Sequence, residues 1–237
     1  DSLGAIDAHY EALLDGLEDQ ICAVKPKILA SSATLAGYDK QVGVLYRRTA
    51  RVFPQPAPET GRGFWSRDTS DLMRTYVALA PRGVTIEHAT DRILTVLQRA
   101  IRTLVLHPVD VCRDLGIDPA KAPDLISLYG TDVVYGNTLR DLEAVNRSIE
   151  GQQVLVEGPV RTAALTGRTE FPDVRKVLRR LENPEAAFED RIHVITASSM
   201  MSHGVDIDRL NIMVMIGIPL GTAEFIQTSA RVGRAWP

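Results

Sequence analysis

The stretch TDVVYGNTLRDLEAVNRSIE, Thr131 to Glu150, decides how the rest of the chain is read. Val133 and Val134 are adjacent and β-branched, and a short apolar run of this kind suits a strand covered on both faces. Gly136-Asn137-Thr138 breaks the run as a turn. A helix is predicted from Leu139. A buried strand that turns straight into a helix is half of a parallel β-α-β unit.

Downstream the alternation repeats. QVLVEG (Gln153 to Gly158) reads as a strand and LTGR (Leu165 to Arg168) as a turn. FPDVRKVLRRLEN (Phe171 to Asn183) is a helix with Pro172 in its first turn, where proline is tolerated. RIHVITASS and NIMVMIGIP are strands, and TAEFIQTSARV (Thr222 to Val232) is the last helix. Ile212 to Leu220 is far too short to span a bilayer and suits a buried strand. The expected fold class is therefore α/β, a parallel sheet covered by helices on both faces.

Upstream, Thr85 to His107 has the spacing of a long amphipathic helix, followed by a loop-rich insert near residues 108–130. Leu72 to Gly83 reads as a strand and turn. A Pro/Gly-rich link places a boundary near residues 54–66. Before it, KPKILASSAT (Lys25 to Thr34) reads as a short buried strand and a small-residue turn, and Leu35 to Tyr46 as a helix. Residues 5–22 carry helical spacing, with Ile6, Tyr10, Leu13, Leu14, Leu17 and Ile21 on one face.

With 237 residues, 45% hydrophobic and 24% charged, the composition is that of a globular protein. The net charge of −3 excludes nucleic-acid binding by bulk charge and leaves it to local patches and backbone amides. Cys22 and Cys112 lack metal-ligand spacing and read as reduced core residues of a cytoplasmic protein. His203 has no ligand set around it, so no metal site is expected there.

In open α/β sheets ligands gather where strands end. The turns SSAT, YGNT, LTGR, ITASSMMSHGVDID and QTSARVGR are therefore the candidates. Asn137-Thr138, Thr166-Gly167 and Ser198-Ser199 suit an anion held by amides and hydroxyls, or else plain helix caps. Asp206 suits a ribose hydroxyl, or else a turn beside Arg209. Arg231 and Arg234 share a face if helical, with Gln227 one turn back. Their guanidinium forks suit the charge on a transferring phosphate, or else a solvated helix end.

Taken in order, SSAT (Ser31 to Thr34), VVYGNTLRDLEAV, LTG, ITASSMMSHGVDID and QTSARVGR resemble motif III, motif IV, the LTG element, motif V and motif VI of superfamily 2 helicases. The resemblance runs from about residue 26 to the end. It implies two RecA-like lobes clamping ATP, with a nucleic-acid strand across both. Residues 1–55 would be the tail of lobe one, 56–65 a linker and 66–237 lobe two. By this likeness Arg231 and Arg234 are arginine fingers and Gln227 positions them or the attacking water. Gly204 and Asp206 meet the nucleotide's sugar, and Ser32 and Thr34 couple nucleotide state to lobe closure. Asn137, Thr138, Thr166, Gly167 and Ser198 hold strand phosphates, Ser198 standing where the family often has Thr.

The chain contains neither G-x-x-x-x-G-K-[ST] nor D-E-x-[HD], so the resemblance implies a fragment. The lysine loop and the residues holding Mg2+ would lie on a missing first lobe, and the fragment alone would be inactive. The stretch Ser198 to Arg234, with YVALAPRG upstream, further resembles the helicase subunits of DISARM-type anti-phage systems. That implies a bacterial DNA translocase acting beside partner subunits, with no membrane contact. Three alternatives stay open: an RNA helicase of the same superfamily, a non-catalytic α/β binding module, and a Rossmann-like enzyme. The basic helix Arg175 to Asn183 is either a solvated face or a duplex contact. Trp65 and Trp236 are either packing or base-stacking residues.

Overall fold

The computed structural model describes residues 2–31, 37–53, 69, 72–151, 158–202 and 206–235. The chain divides into two compact units, residues 1–71 and 72–237.

The first unit contains α1 (Ser2–Ile21) and α2 (Tyr38–Tyr46). Lys25 pairs with Asp15 and Asp19 of α1, each at 2.9 Å, and Arg48 with Glu18 at 2.7 Å. The apolar residues expected on one face of α1 are all exposed, from Leu17 at 42% to Ile21 at 76%. Lys25 to Ser31 forms no strand, and Leu29 is exposed. A strand needs a neighbour for its backbone hydrogen bonds, and the described residues of this unit contain none. Cys22 is exposed rather than a core residue, while Cys112 is buried; both are free thiols.

The second unit is built on a parallel sheet of order β2-β3-β1-β4. The strands are β1 (Asp132–Gly136), β2 (Thr162–Leu165), β3 (Val194–Ala197) and β4 (Ile212–Ile216). Asp132 lies in register with both Val194 and Ile212. All five residues of β1 are buried, as a central strand between two helical layers requires. Val133 and Tyr135 face one layer, with Ile195, Leu165 and Val174 and Leu181 of α7 (Phe171–Glu182). Val134 faces the other, with Leu94 of α3 (Ile86–Leu106) and Leu142, Val145 and Ile149 of α6 (Leu139–Gly151). Strand β4 sits at the margin, so it is half-buried up to Ile216 rather than a core strand.

Three sequence expectations need correction here. Leu72 to Gly83 is not a strand: it has no regular structure and meets α8 (Thr222–Ser229) through Tyr76, whose ring lies 6.0 Å from that of Phe225. The insert is helical rather than loop-rich: α4 (Pro108–Asp114), a 3₁₀ turn at Pro119–Lys121 and α5 (Ala122–Tyr129). Cys112, Ala122 and Leu125 pack with Ile101, Leu104 and Phe188 in a cluster of their own. Strand β2 carries little sequence signal, because Ala163 and Ala164 at its centre have low β-propensity. The strand expected over Gln153 to Gly158 lies mostly outside the described residues.

The insert is tied to the sheet by Arg209. Its guanidinium donates to the Ser127 carbonyl of α5 (3.3 Å), the Leu181 carbonyl of α7 (3.1 Å) and the Thr131 hydroxyl before β1 (3.3 Å). Burial pushes its pKa down to about 10.

Candidate functional site

Because all four strands are parallel, the turns after β1, β2 and β3 open at one edge of the sheet. That edge gathers Asn137, Thr138, Thr166, Gly167 and Ser198. Thr138 caps α6: its hydroxyl accepts from the Asp141 N–H (3.2 Å) and donates to the Asp141 carboxylate (2.6 Å). The first of these bonds is an N-cap, and the second fixes the hydroxyl through the Asp141 side chain. Asn137 is exposed and donates through Nδ2 to the Ile218 carbonyl, 3.2 Å away, on the connection from β4 to α8. That connection bends at Gly217, whose φ of 75° is open to glycine at little cost.

The turn after β2 is closed by its own hydroxyls. The Thr166 N–H donates to Thr169 Oγ1 (3.1 Å), and Thr169 Oγ1 donates to the Ala164 carbonyl (3.1 Å). Gly167 is exposed, with open space where a Cβ would stand. The Ser198 N–H donates to the Leu165 carbonyl and its own carbonyl accepts from Met201, starting a 3₁₀ turn at Ser199–Ser202.

The motif VI residues form a second group. Helix α8 ends at Ser229, so Arg231 and Arg234 follow the helix instead of sharing its face. The cause is local. Gly233 takes φ 68°, and its N–H donates to the Leu210 carbonyl at 2.9 Å, drawing the chain toward the segment that leads into β4. Arg74 holds the same turn, donating through Nε to the Val232 carbonyl at 2.8 Å. Nothing in the sequence marked Arg74, which acts across 158 positions of chain. Gln227 is half-buried on α8, and Arg231 is half-buried after it.

Asp206 is exposed in the connection between the 3₁₀ turn and β4. Its partner is Arg234, through Nη1 to Oδ1, and not the neighbouring Arg209. The Arg234 Nε–H donates to the Ala230 carbonyl at 2.8 Å, which aims the outer edge of the guanidinium at the carboxylate. A guanidinium that binds a carboxylate in this way also fits a phosphate. Among the described residues no three His, Cys, Asp or Glu side chains gather into a metal site. Ser32, Thr34, His203, Gly204, Trp65 and Trp236 lie outside the described residues.

The two groups are linked through α8. Tyr135, wholly buried at the end of β1, donates to the Glu224 carboxylate at 2.6 Å. Burial and the Glu224 carboxylate push its phenol up to about 12.

Among the described residues no helix is long and apolar enough to cross a membrane. The chain is 28% identical to the DISARM protein DrmA of Bacillus paralicheniformis over 99% of its own length, and spans 22% of that relative. Two solved structures share 12% identity with it. The C-terminal part of the Fun30 ATPase domain matches 48% of this chain and 35% of its own, with a TM-score of 0.37. The ATP-dependent Type ISP restriction-modification enzyme LlaBIII bound to DNA matches 63% of this chain and 12% of its own, with a TM-score of 0.35. Residues 123–236 match the helicase conserved C-terminal domain. The matched stretch holds the parallel sheet and its two helical layers, and in that part the chain is similar to a helicase C-terminal domain.

Proposed function

We propose that this chain is the second-lobe part of an ATP-driven DNA translocase or helicase acting in bacterial phage defence. The observation that carries the reading is the Arg234–Asp206 ion pair. It brings Asp206 and the arginine turn together although 28 positions separate Asp206 from Arg234 (234 less 206). Similarity to DrmA supports the defence setting, and the DNA-bound state of LlaBIII is a property of that enzyme.

In this reading a first lobe supplies the lysine loop and the carboxylates for Mg2+. Hydrolysis of ATP supplies the energy for stepping. This chain's residues complete the pocket. Arg234 exchanges the Asp206 carboxylate for the γ-phosphate, Arg231 adds a second guanidinium, and Gln227 positions them or the attacking water. Gly204 and Asp206 meet the ribose, and Ser32 and Thr34 relay lobe closure. Asn137, Thr138, Thr166, Gly167 and Ser198 hold strand phosphates without a base code, so binding is sequence-tolerant. To hold a phosphate, Thr138 turns its single O–H from the Asp141 carboxylate to the phosphate oxygen, while its own oxygen still accepts from the Asp141 N–H.

The test uses the full-length protein. Arg231→Ala and Arg234→Ala each lower ATP turnover by roughly 10³–10⁵, the range for lost arginine fingers, with DNA affinity nearly unchanged. Near-normal turnover in both variants overturns the assignment. Stimulation by single-stranded DNA, duplex DNA and RNA, compared side by side, decides the strand.

A further inference from the structure

Helix α7 leads away from the Thr166–Gly167 turn and carries a surface that the two groups above leave unused. An open groove of about 490 Å³ is lined by Phe171, Pro172, Arg175, Lys176, Arg179 and Arg180. Phe171 is 69% exposed, a large apolar ring left in solvent at the start of the helix. The Arg175 guanidinium lies 5.0 Å from the centre of that ring.

Three of the four cations lining this groove, the exposed Arg175, Lys176 and Arg179, have no ion-pair partner among the described residues. Arg180 is committed elsewhere, to Glu185 at 2.5 Å and the Asp190 carbonyl at 2.7 Å. Phe171, Arg175 and Arg179 follow one another at every fourth position, so they form a slowly drifting stripe about 6 Å apart along the axis. Asp173 projects about 160° away from Phe171 around the helix, on the side of Lys176, so Lys176 borders the stripe rather than lying in it. Glu182 closes the stripe one turn beyond Arg179. Such a surface differs from an ordinary solvated face, where cations alternate with carboxylates and large rings are buried.

A cationic groove with an exposed aromatic ring at its mouth is the arrangement that holds one nucleic-acid strand: cations follow the phosphates and a base stacks on the ring. We infer that the Phe171–Arg179 face of α7 is a second contact for a single DNA strand, extending the path from the Thr166–Gly167 turn along the outside of the helix. This rests on the proposed translocase reading, because the strand must first reach the edge of the sheet. It adds a stacking residue and three phosphate contacts that no helicase motif named above contains.

The experiment measures binding of the full-length protein to labelled oligothymidine by fluorescence anisotropy across a salt series. The triple variant Arg175→Gln, Lys176→Gln, Arg179→Gln reduces the slope of log K against log salt by about 2, at roughly 0.7 for each lost phosphate. Phe171→Ala weakens binding about tenfold with the slope unchanged, as loss of one stacked base requires. All four side chains are exposed, so thermal unfolding midpoints match the wild type. An unchanged slope in the triple variant overturns the inference, and so does a Phe171→Ala variant that binds like wild type. DNA-stimulated ATPase of the wild type separates the two failures. If it is present and the α7 variants behave as wild type, only the α7 path falls. If the wild type neither binds the oligonucleotide nor hydrolyses ATP, the translocase reading falls with it.

Discussion

Tyr135 donates a 2.6 Å hydrogen bond to Glu224, joining the end of the central strand to the helix that leads to Arg231 and Arg234. Two residues on, Asn137 holds the Ile218 carbonyl. The turn after β1 and the approach to α8 are thus fastened at two points, so a shift at one is felt at the other.

Replacing Tyr135 with Phe removes the hydroxyl and keeps the ring. A hydrogen bond to a charged group is worth about 1.5–3 kcal/mol. Glu224 is half-exposed and regains water, so a loss of about 1–2 kcal/mol in denaturant unfolding is expected. In the full-length protein ATP turnover falls while oligonucleotide affinity is kept. If both the unfolding midpoint and turnover match wild type, the bond does not position α8.

The Arg234–Asp206 pair is cheap to break. Its side chains are 30% and 66% exposed, and exposed ion pairs contribute about 0–1 kcal/mol. Asp206→Asn therefore lowers stability by less than about 1 kcal/mol, and the difference shrinks further in high salt. In the proposed reading, that small cost lets Arg234 leave Asp206 for the phosphate. A loss of several kcal/mol on chemical denaturation would show a structural clasp instead.

A third prediction concerns the amino end of the sheet. Asp132 is fully buried; its Oδ2 accepts from Gln98 at 2.8 Å and its Oδ1 has no hydrogen-bond partner. Burial raises its pKa from 3.8 to about 7, so the folded state holds a proton that the unfolded state has released. Its contribution to stability is greatest near pH 4 and is lost as pH rises through 7. His193 does the reverse. Its Nδ1 accepts from the Arg161 N–H at 2.9 Å, and its Nε2–H donates to the Phe188 carbonyl at 3.0 Å. Burial first, then Arg102 and Arg161, lower its pKa from 6.5 to about 4 against the pull of Glu189. Its contribution is present above pH 6.5 and lost as pH falls through 4. The two trends oppose each other in wild type. Asp132→Asn unmasks His193: relative to wild type, stability rises with pH between 4 and 7 by up to about 1.4 kcal/mol per unit. A difference that stays constant across that window would mean that Asp132 does not titrate there.

The second unit was readable in the sequence where burial sets the pattern. Val133 and Val134, both fully buried, mark β1, and Thr85 accepts from the His88 N–H to start α3 as its position before an amphipathic run suggests. The residue types at the strand ends pointed to the edge where they now stand. Other features were hidden because their causes are not local. Lys25 to Ser31 has strand-like residues, but pairing is a property of two segments. The end of α8 depends on Gly233 reaching Leu210, and the hold on that turn on Arg74, far away in the chain. The insert helices do carry a local signal: each has a proline and an aspartate in its first turn, Pro108 with Asp110 and Pro123 with Asp124.

Arg209 reaches an insert helix, a sheet-covering helix and the lead-in to the central strand at once, and all three acceptors are uncharged oxygens. The helical excursion between α3 and β1 is consequently no detachable ornament. Trimming it would strand a half-hidden cation beside the central strand, so a shortened version of this domain needs a different side chain at position 209 before it can settle.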